Sequence, residues 1–302
     1  MTWLLRDAFG RALVEAVAVG VLTGLVGVHV VLRRLSFFAM AMAHATFPGV
    51  VAASILGVNI YLGGVVAGLL TAAAVAALAR TRGQEATAAT GVVLSAGFAL
   101  GVALVATQNG FSRDLSAFLV GSILTVTTEN LVVTGALLAL TAAALTVGGR
   151  HLLYIGFDPA GARAAGYRVR LLDLTLLLLI DLVVVAIVPA VGTILALALI
   201  VAPAAAARAW TDRLAPMSAL AAALGAGSAA GGLWFSRLWD IAAGGSISLT
   251  AAAVLLVSLA AHRLRNDGAT PRPAVPSPDG DGSAPFRPPL EAGPRAGVPP
   301  TW

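Results

Sequence analysis

The chain has 302 residues, 59% of them apolar and only 11% charged, with a mean hydropathy of +0.92, which excludes a water-soluble domain for want of a polar surface. The formal net charge of +5 comes from arginine alone, because no lysine occurs, and a phosphate-binding loop of the G-x-x-x-x-G-K-[ST] type is thereby excluded as well. Without cysteine there are no disulfides or thiolate ligands, so a metal ion would have to use oxygen or imidazole donors.

A hydrocarbon core about 30 Å thick takes roughly 20 apolar residues per helix. In chain order the stretches that meet this are 12–32, 37–56, 61–79, 88–106, 131–147, 171–190, 192–209, 218–235 and 247–261. They predict an all-α, polytopic membrane bundle of about nine transmembrane helices. The first apolar run is followed by no small-residue cleavage site, so it reads as a retained helix. Residues 115–126, "LSAFLVGSILTV", are apolar but too short to cross, and suit a re-entrant or interfacial helix.

Arginine placement gives the orientation, because positive loops stay cytoplasmic. With Arg33 and Arg34 inside, Arg80, Arg82, Arg150, Arg163, Arg168, Arg170, Arg208, Arg213, Arg263 and Arg265 also fall inside. Only Arg6, Arg11, Arg113 and Arg237 fall outside, and the C-terminus is then cytoplasmic. Residues 1–265 form the membrane domain. From Asn266 onward the chain holds 10 of its 15 prolines and almost no aliphatic residues, which predicts a disordered, proline-rich cytoplasmic tail over 266–302.

Glycines four apart, such as Gly20 with Gly24, Gly64 with Gly68, Gly97 with Gly101 and Gly227 with Gly231, predict close helix contacts in a packed bundle. Ionisable residues inside a bilayer cost roughly 3 kcal/mol or more and mark pathways, and three stand out: His29, His44 and Asp181. His44 is either a ligand or a histidine hydrogen-bonded to a neighbouring backbone carbonyl. Asp181 is either a carboxylate needing water, a cation or a polar partner from another helix, or a protonated carboxyl shared between helices. Asp173 and His151 lie near helix ends, where snorkelling or a headgroup partner explains them. The loops are too short to hold a nucleophile, base and oxyanion donors together, so the chain is not expected to be an enzyme.

Two loop segments are distinctive. "GFDPAGARAAGYRVRLLD", residues 156–173, places an acidic residue before proline, a small-residue turn, and a glycine followed by arginines, the pattern of a short interfacial helix with a stop. "VGTILALALIVAPAAAARAWTDRLAP", residues 191–216, runs through Pro203 into an alanine-rich turn ending in Arg208, Asp212 and Arg213, which suits a docking element for a cytoplasmic partner.

These two segments, together with "VLRRLSFFAMAMAHATFPGV", occur in an order and spacing that resembles the permease family of zinc and manganese ABC importers, from about residue 10 to residue 262. The resemblance implies a type II, vitamin B12 importer-like permease in the bacterial cytoplasmic membrane. It would pair with a second copy or a paralogue, be driven by separate ATPase subunits and be fed by an extracytoplasmic metal-binding lipoprotein. It implies no tightly bound cofactor and no nucleic acid, only a transported Zn2+ or Mn2+. The ATPase contact would be a helix after the proline, residues 204–212, involving Pro203, Ala204, Ala207, Arg208 and Asp212. Residues 158–170, with Asp158, Ala162 and Gly166, would form a second cytoplasmic element. "SRLWDIAAGGS", with Asp240, Gly244 and Gly245, would touch the binding protein. Members of the family usually carry an aspartate four residues before the histidine of the second span, and here that position is Met40. Asp181 is outside the family pattern and is a candidate to supply the missing oxygen ligand. The alternatives are a permease for a metal chelate, siderophore or cobalamin, and a proton-coupled carrier using Asp181 and His44.

Overall fold

The computed structural model describes residues 7–78, 86–107, 121 and 123–267, and among them every regular element is helical. The elements are α1 (Ala8–Leu32), α2 (Ser36–Ala45), α3 (Phe47–Leu56), α4 (Ile60–Leu78), α5 (Ala86–Ala106), a 3-10 turn (Ile123–Thr125), α6 (Thr128–Phe157), α7 (Pro159–Ala164), α8 (Val169–Val191), α9 (Thr193–Arg208), α10 (Leu214–Trp239) and α11 (Ala243–Asp267). Among the described residues, eight helical stretches are long and apolar enough to cross a bilayer, α2 and α3 together counting as one.

Those eight coincide with eight of the nine expected spans. The ninth, 192–209, is α9, whose 16 residues reach only about 24 Å at 1.5 Å per residue. Its shortness has a local cause. Gly192, at φ 91°, occupies a conformation open mainly to glycine and breaks α8 from α9. The span drawn over 37–56 also divides, because Pro48 has no N–H and is tolerated in the first turn of a helix, so the chain re-initiates as α3 after Thr46. Of the short apolar stretch 115–126, only Gly121 and residues 123–126 are described, and Ile123 and Val126 are buried there. Arg6, Arg80, Arg82, Arg113 and the tail from residue 268 lie outside the described residues.

Contacts fix the directions of the helices. Glu15 meets Thr134 and His29 meets Gly149, so α1 and α6 run parallel. Gly20 meets Gly225 and Gly24 meets Ala221, so α10 runs antiparallel to α1. Gly97 lies on Ala45 and Gly101 on Phe47, so α5 runs parallel to the α2–α3 pair. With this alternation, Arg33, Arg34, Arg163, Arg168, Arg170, Arg208, Arg213, Arg263 and Arg265 gather at one end of the bundle. Arg11, Glu129, Arg237 and Asp240 lie at the other.

At the arginine-rich end, helix stops are built from backbone chemistry. α1 closes with Arg34 N–H on the Val31 carbonyl at 3.2 Å and Leu35 N–H on the Val30 carbonyl at 2.8 Å, Arg34 taking the left-handed conformation at φ 57°. Glycine usually fills that place, and arginine there costs roughly 1 kcal/mol. α7 is the short helix expected from "GFDPAGARAAGYRVR". Asp158 accepts from Gly161 N–H at 2.8 Å, Pro159 starts the helix, and Gly166 at φ 83° ends it. Such a cap contributes about 1 kcal/mol.

The glycine spacing is realised at three of the four places. Gly20 and Gly24 sit against the backbone of α10, Gly64 and Gly68 against α8, and Gly97 and Gly101 against Ala45 and Phe47. The Gly227–Gly231 pair is the exception. A Cβ at Gly227 would meet nothing within 4 Å, whereas the glycines of α10 in tight contact are Gly225, against α1, and Gly232, against Ile247. The main core joins Leu22 and Val26 of α1 with Ile180 and Ile187 of α8, Leu199 of α9 and Leu233 of α10. α9 is wedged among α1, α10 and α11 rather than spanning alone.

Candidate functional site

Asp181 lies twelve residues into α8, about 18 Å from its start, and is only 1% exposed. Neither carboxylate oxygen has a hydrogen-bond partner. The carboxylate rests on Gly68 of α4, where any Cβ would overlap it, and one turn further Val185 packs on Gly64. Glycine at 68 therefore makes the space that the carboxylate fills.

His44 closes the last turn of α2. Its Nδ1 lies 3.1 Å from the Met40 carbonyl. A carbonyl only accepts, so Nδ1 carries a proton, and in the neutral ring the lone pair is then on Nε2. The hydrogen-bonded and ligand readings of His44 are thus compatible, since a backbone carbonyl behind one ring nitrogen is the usual support for a metal-binding histidine. The ring packs beside Phe98 of α5 at 5.8 Å between centroids.

His29, 2% exposed, sits near the end of α1 with Nδ1 unpartnered and its ring against Gly149 of α6. The three groups singled out from sequence therefore face three different helices. Among the described residues no three His, Cys, Asp or Glu side chains converge as a metal cage.

Sequence reading passed over Glu15, which is 1% exposed and accepts from Thr134 Oγ1 at 2.6 Å. The signal was available, since Glu15 lies inside the first expected span, 12–32. Asp173 has a partner distant in sequence, Arg33, at 2.5 Å, and the His151 ring packs at 5.4 Å beside Tyr167 with the planes tilted by 39°.

The expected coupling residues divide by exposure. Asp158, Gly166, Arg208 and Asp212 are exposed at the arginine-rich end, whereas Ala162, Pro203, Ala204 and Ala207 are buried. No separate helix follows Pro203. The proline lies inside α9, which ends at Arg208, and Ala204 and Ala207 pack on Val28, Met217 and Ala221. The surface left for a partner is Arg208, Trp210, Asp212 and Arg213. At the opposite end Asp240, at φ 51°, caps α10, Ser236 Oγ donates to the Ile241 carbonyl at 2.7 Å, and Gly244 and Gly245 fall in the first turn of α11.

A polytopic bundle whose interior holds a buried, unpaired carboxylate at mid-depth, with an imidazole inside a second span, has the build of a membrane transport subunit. Residues 6–262 match the model of the ABC 3 transport family, and the chain belongs to that family. It is 35% identical over 248 residues to the manganese transport system membrane protein MntC of Halalkalibacterium halodurans, covering 82% of this chain and 85% of that one. Among solved structures it resembles PsaBC of Streptococcus pneumoniae, determined in complex with Fab, with a TM-score of 0.78 and 34% identity over 83% of this chain and 91% of that chain. An inward-facing transporter of metal-chelate type shares the fold at a TM-score of 0.67 and 17% identity, covering 83% of this chain and 85% of that chain. The type II permease architecture expected from sequence is thus the one found.

Proposed function

We propose that this chain is the permease subunit of an ATP-driven importer of divalent metal ions, Mn2+ foremost and Zn2+ second, in a bacterial cytoplasmic membrane. What carries the reading is a relative named for manganese transport that matches across 82% of the chain. Similarity to the chelate-type transporter is of fold alone and gives no reason to prefer a larger cargo.

Separate ATPase subunits bind at the arginine-rich end, on Arg208, Trp210, Asp212 and the α7 turn. An extracytoplasmic binding protein docks around Asp240 and the start of α11, and a second permease copy or paralogue completes the path. The arginine-rich end is cytoplasmic, as positive loops require. His44 offers Nε2 to the passing ion, and Asp181 supplies the oxygen that Met40 cannot. A cation in transit must be held weakly, which suits one imidazole and one carboxylate better than a closed cage.

Uptake of Mn2+ into proteoliposomes holding this chain, its ATPase and its binding protein tests the reading. Loss of uptake in His44→Ala or Asp181→Asn, with the complex assembled and hydrolysing ATP, supports the route. Hydrolysis without metal uptake in wild type overturns it.

A further inference from the structure

At the arginine-rich end of the bundle, where α7 turns into α8, Arg163, Tyr167, Arg168, Val169, Arg170 and Asp173 line a cleft of about 700 Å3. Asp173 is the one acid in this lining, and Arg33 already neutralises it. Among the described residues, Arg163, Arg168 and Arg170 have no ion-pair partner, so the cleft gathers three exposed guanidinium groups with no matching anion. Local backbone sharpens the imbalance. Arg168 is the N-cap of α8, Arg170 is its second residue, and its first turn holds no acid. A helix start carries partial positive charge, so cations there are unfavourable until an anion sits among them.

The cleft opens over an apolar surface that belongs to the membrane spans. Tyr167 packs on His151 and Tyr154 of α6, at 5.4 and 6.0 Å between ring centroids, which ties the loop before α8 to α6. Tyrosines with one apolar and one wet side are typical of the bilayer boundary. From there α8 runs into the bundle, and Leu171, Leu174 and Leu178 follow one another at helical spacing while 56%, 57% and 37% exposed. Leu174 and Leu178 lie about 6 and 12 Å deeper than Arg170 at 1.5 Å per residue. A free anion would need the arginines alone. Guanidinium groups standing over uncovered leucines match a molecule with an anionic head and an apolar tail.

From this arrangement we infer that the cleft binds the phosphodiester headgroup of an anionic phospholipid. Arg163, Arg168 and Arg170 take the phosphate, and Leu171, Leu174 and Leu178 lie along an acyl chain. A guanidinium donates in a planar fork that fits two phosphate oxygens, and basic pockets at the ends of membrane helices hold such headgroups. The site requires that the bundle span a bilayer and stands whatever the cargo. Arg163 also belongs to the α7 turn assigned above to the ATPase, so a lipid and an acidic protein surface have to be separated by experiment.

The test is binding of radiolabelled phosphatidylglycerol to the full chain in an uncharged detergent, read by scintillation proximity. Unlabelled phosphatidylglycerol is expected to compete, whereas phosphatidylcholine, and inorganic phosphate at matched ionic strength, do not. Arg168→Gln and Arg170→Gln should each weaken binding by about fivefold. Arg263→Gln, at an exposed arginine of the same end outside the cleft, should leave it unchanged. Full affinity in both cleft variants, or an equal loss in Arg263→Gln, overturns the site, the second result showing that only the general charge of this end matters. Displacement by inorganic phosphate makes it a free-anion site and overturns the lipid assignment. The ATPase should copurify with Arg168→Gln and Arg170→Gln in lipid-free detergent as it does with wild type. Its loss there gives the arginines to the ATPase and overturns the assignment as well.

Discussion

The carboxylate of Asp181 occupies the space that a side chain at Gly68 would take, so α8 and α4 meet through an acid and a glycine. Gly68→Ala forces either helix separation or a new rotamer for a buried carboxylate, at about 1–3 kcal/mol. Thermal unfolding in detergent should show that loss. Asp181→Ala combined with Gly68→Ala should recover most of it, because the clash then has no second partner. Additive losses in the double variant would show that Gly68 matters for something other than Asp181.

Met40 stands one turn before His44 on the same face of α2, and its carbonyl already orients the ring. Met40→Asp would add a carboxylate beside the free Nε2 and make a tighter divalent site. Mn2+ affinity of the complex should rise by roughly tenfold, and turnover should fall because release becomes slower. Affinity that is unchanged in equilibrium titration would mean that α2 does not present these two positions to the ion.

The α1–α10 contact depends on glycine at one position and not at another two residues along. A Cβ at Gly225 would strike the Gly20 carbonyl, whereas Gly227 faces open space. Gly225→Val should therefore abolish stable monodisperse protein, by size-exclusion chromatography. Gly227→Ala should be neutral or stabilise by about 0.5–1 kcal/mol, since alanine is the better helix former.

That contrast shows where sequence stops being informative. Span count, the capped helix after Asp158 and the arginine asymmetry were legible because each depends on local chemistry: length against bilayer thickness, a cap, a charge. Which glycine of a periodic set touches a neighbour depends on helix rotation, which no local pattern encodes. Gly225 and Gly232, the tight ones, fell outside the four-residue pair at 227 and 231. Likewise the resemblance implied a docking helix after Pro203, over 204–212, yet tertiary packing keeps residues 204–208 within α9 and buries Ala204 and Ala207. His44 and Asp181 were found because a charge in an apolar run is conspicuous. Glu15 also stands in an apolar run and was passed over; what no local pattern encodes is its bond from Thr134, 119 residues away.

Arg33 and Asp173 join the end of α1 to the start of α8 at 2.5 Å, with the Arg33 stem lying across Gly156 of α6. The arginine side chain is 15% exposed and the aspartate 39%, so the pair is partly screened and its worth is about 1 kcal/mol. Asp173→Asn should lower the unfolding temperature slightly, and Arg33→Asp should lower it more, because the packing on Gly156 is lost along with the charge. Reversing both, as Arg33→Asp with Asp173→Arg, should be less damaging than the sum of the single changes, and the difference isolates the ion pair from the packing. The same cycle read by Mn2+ uptake distinguishes two roles. A pair that only holds the helices together leaves the rate tracking stability, whereas a pair that must open as the arginine-rich end of the bundle moves gives Asp173→Asn a raised rate despite the lowered unfolding temperature.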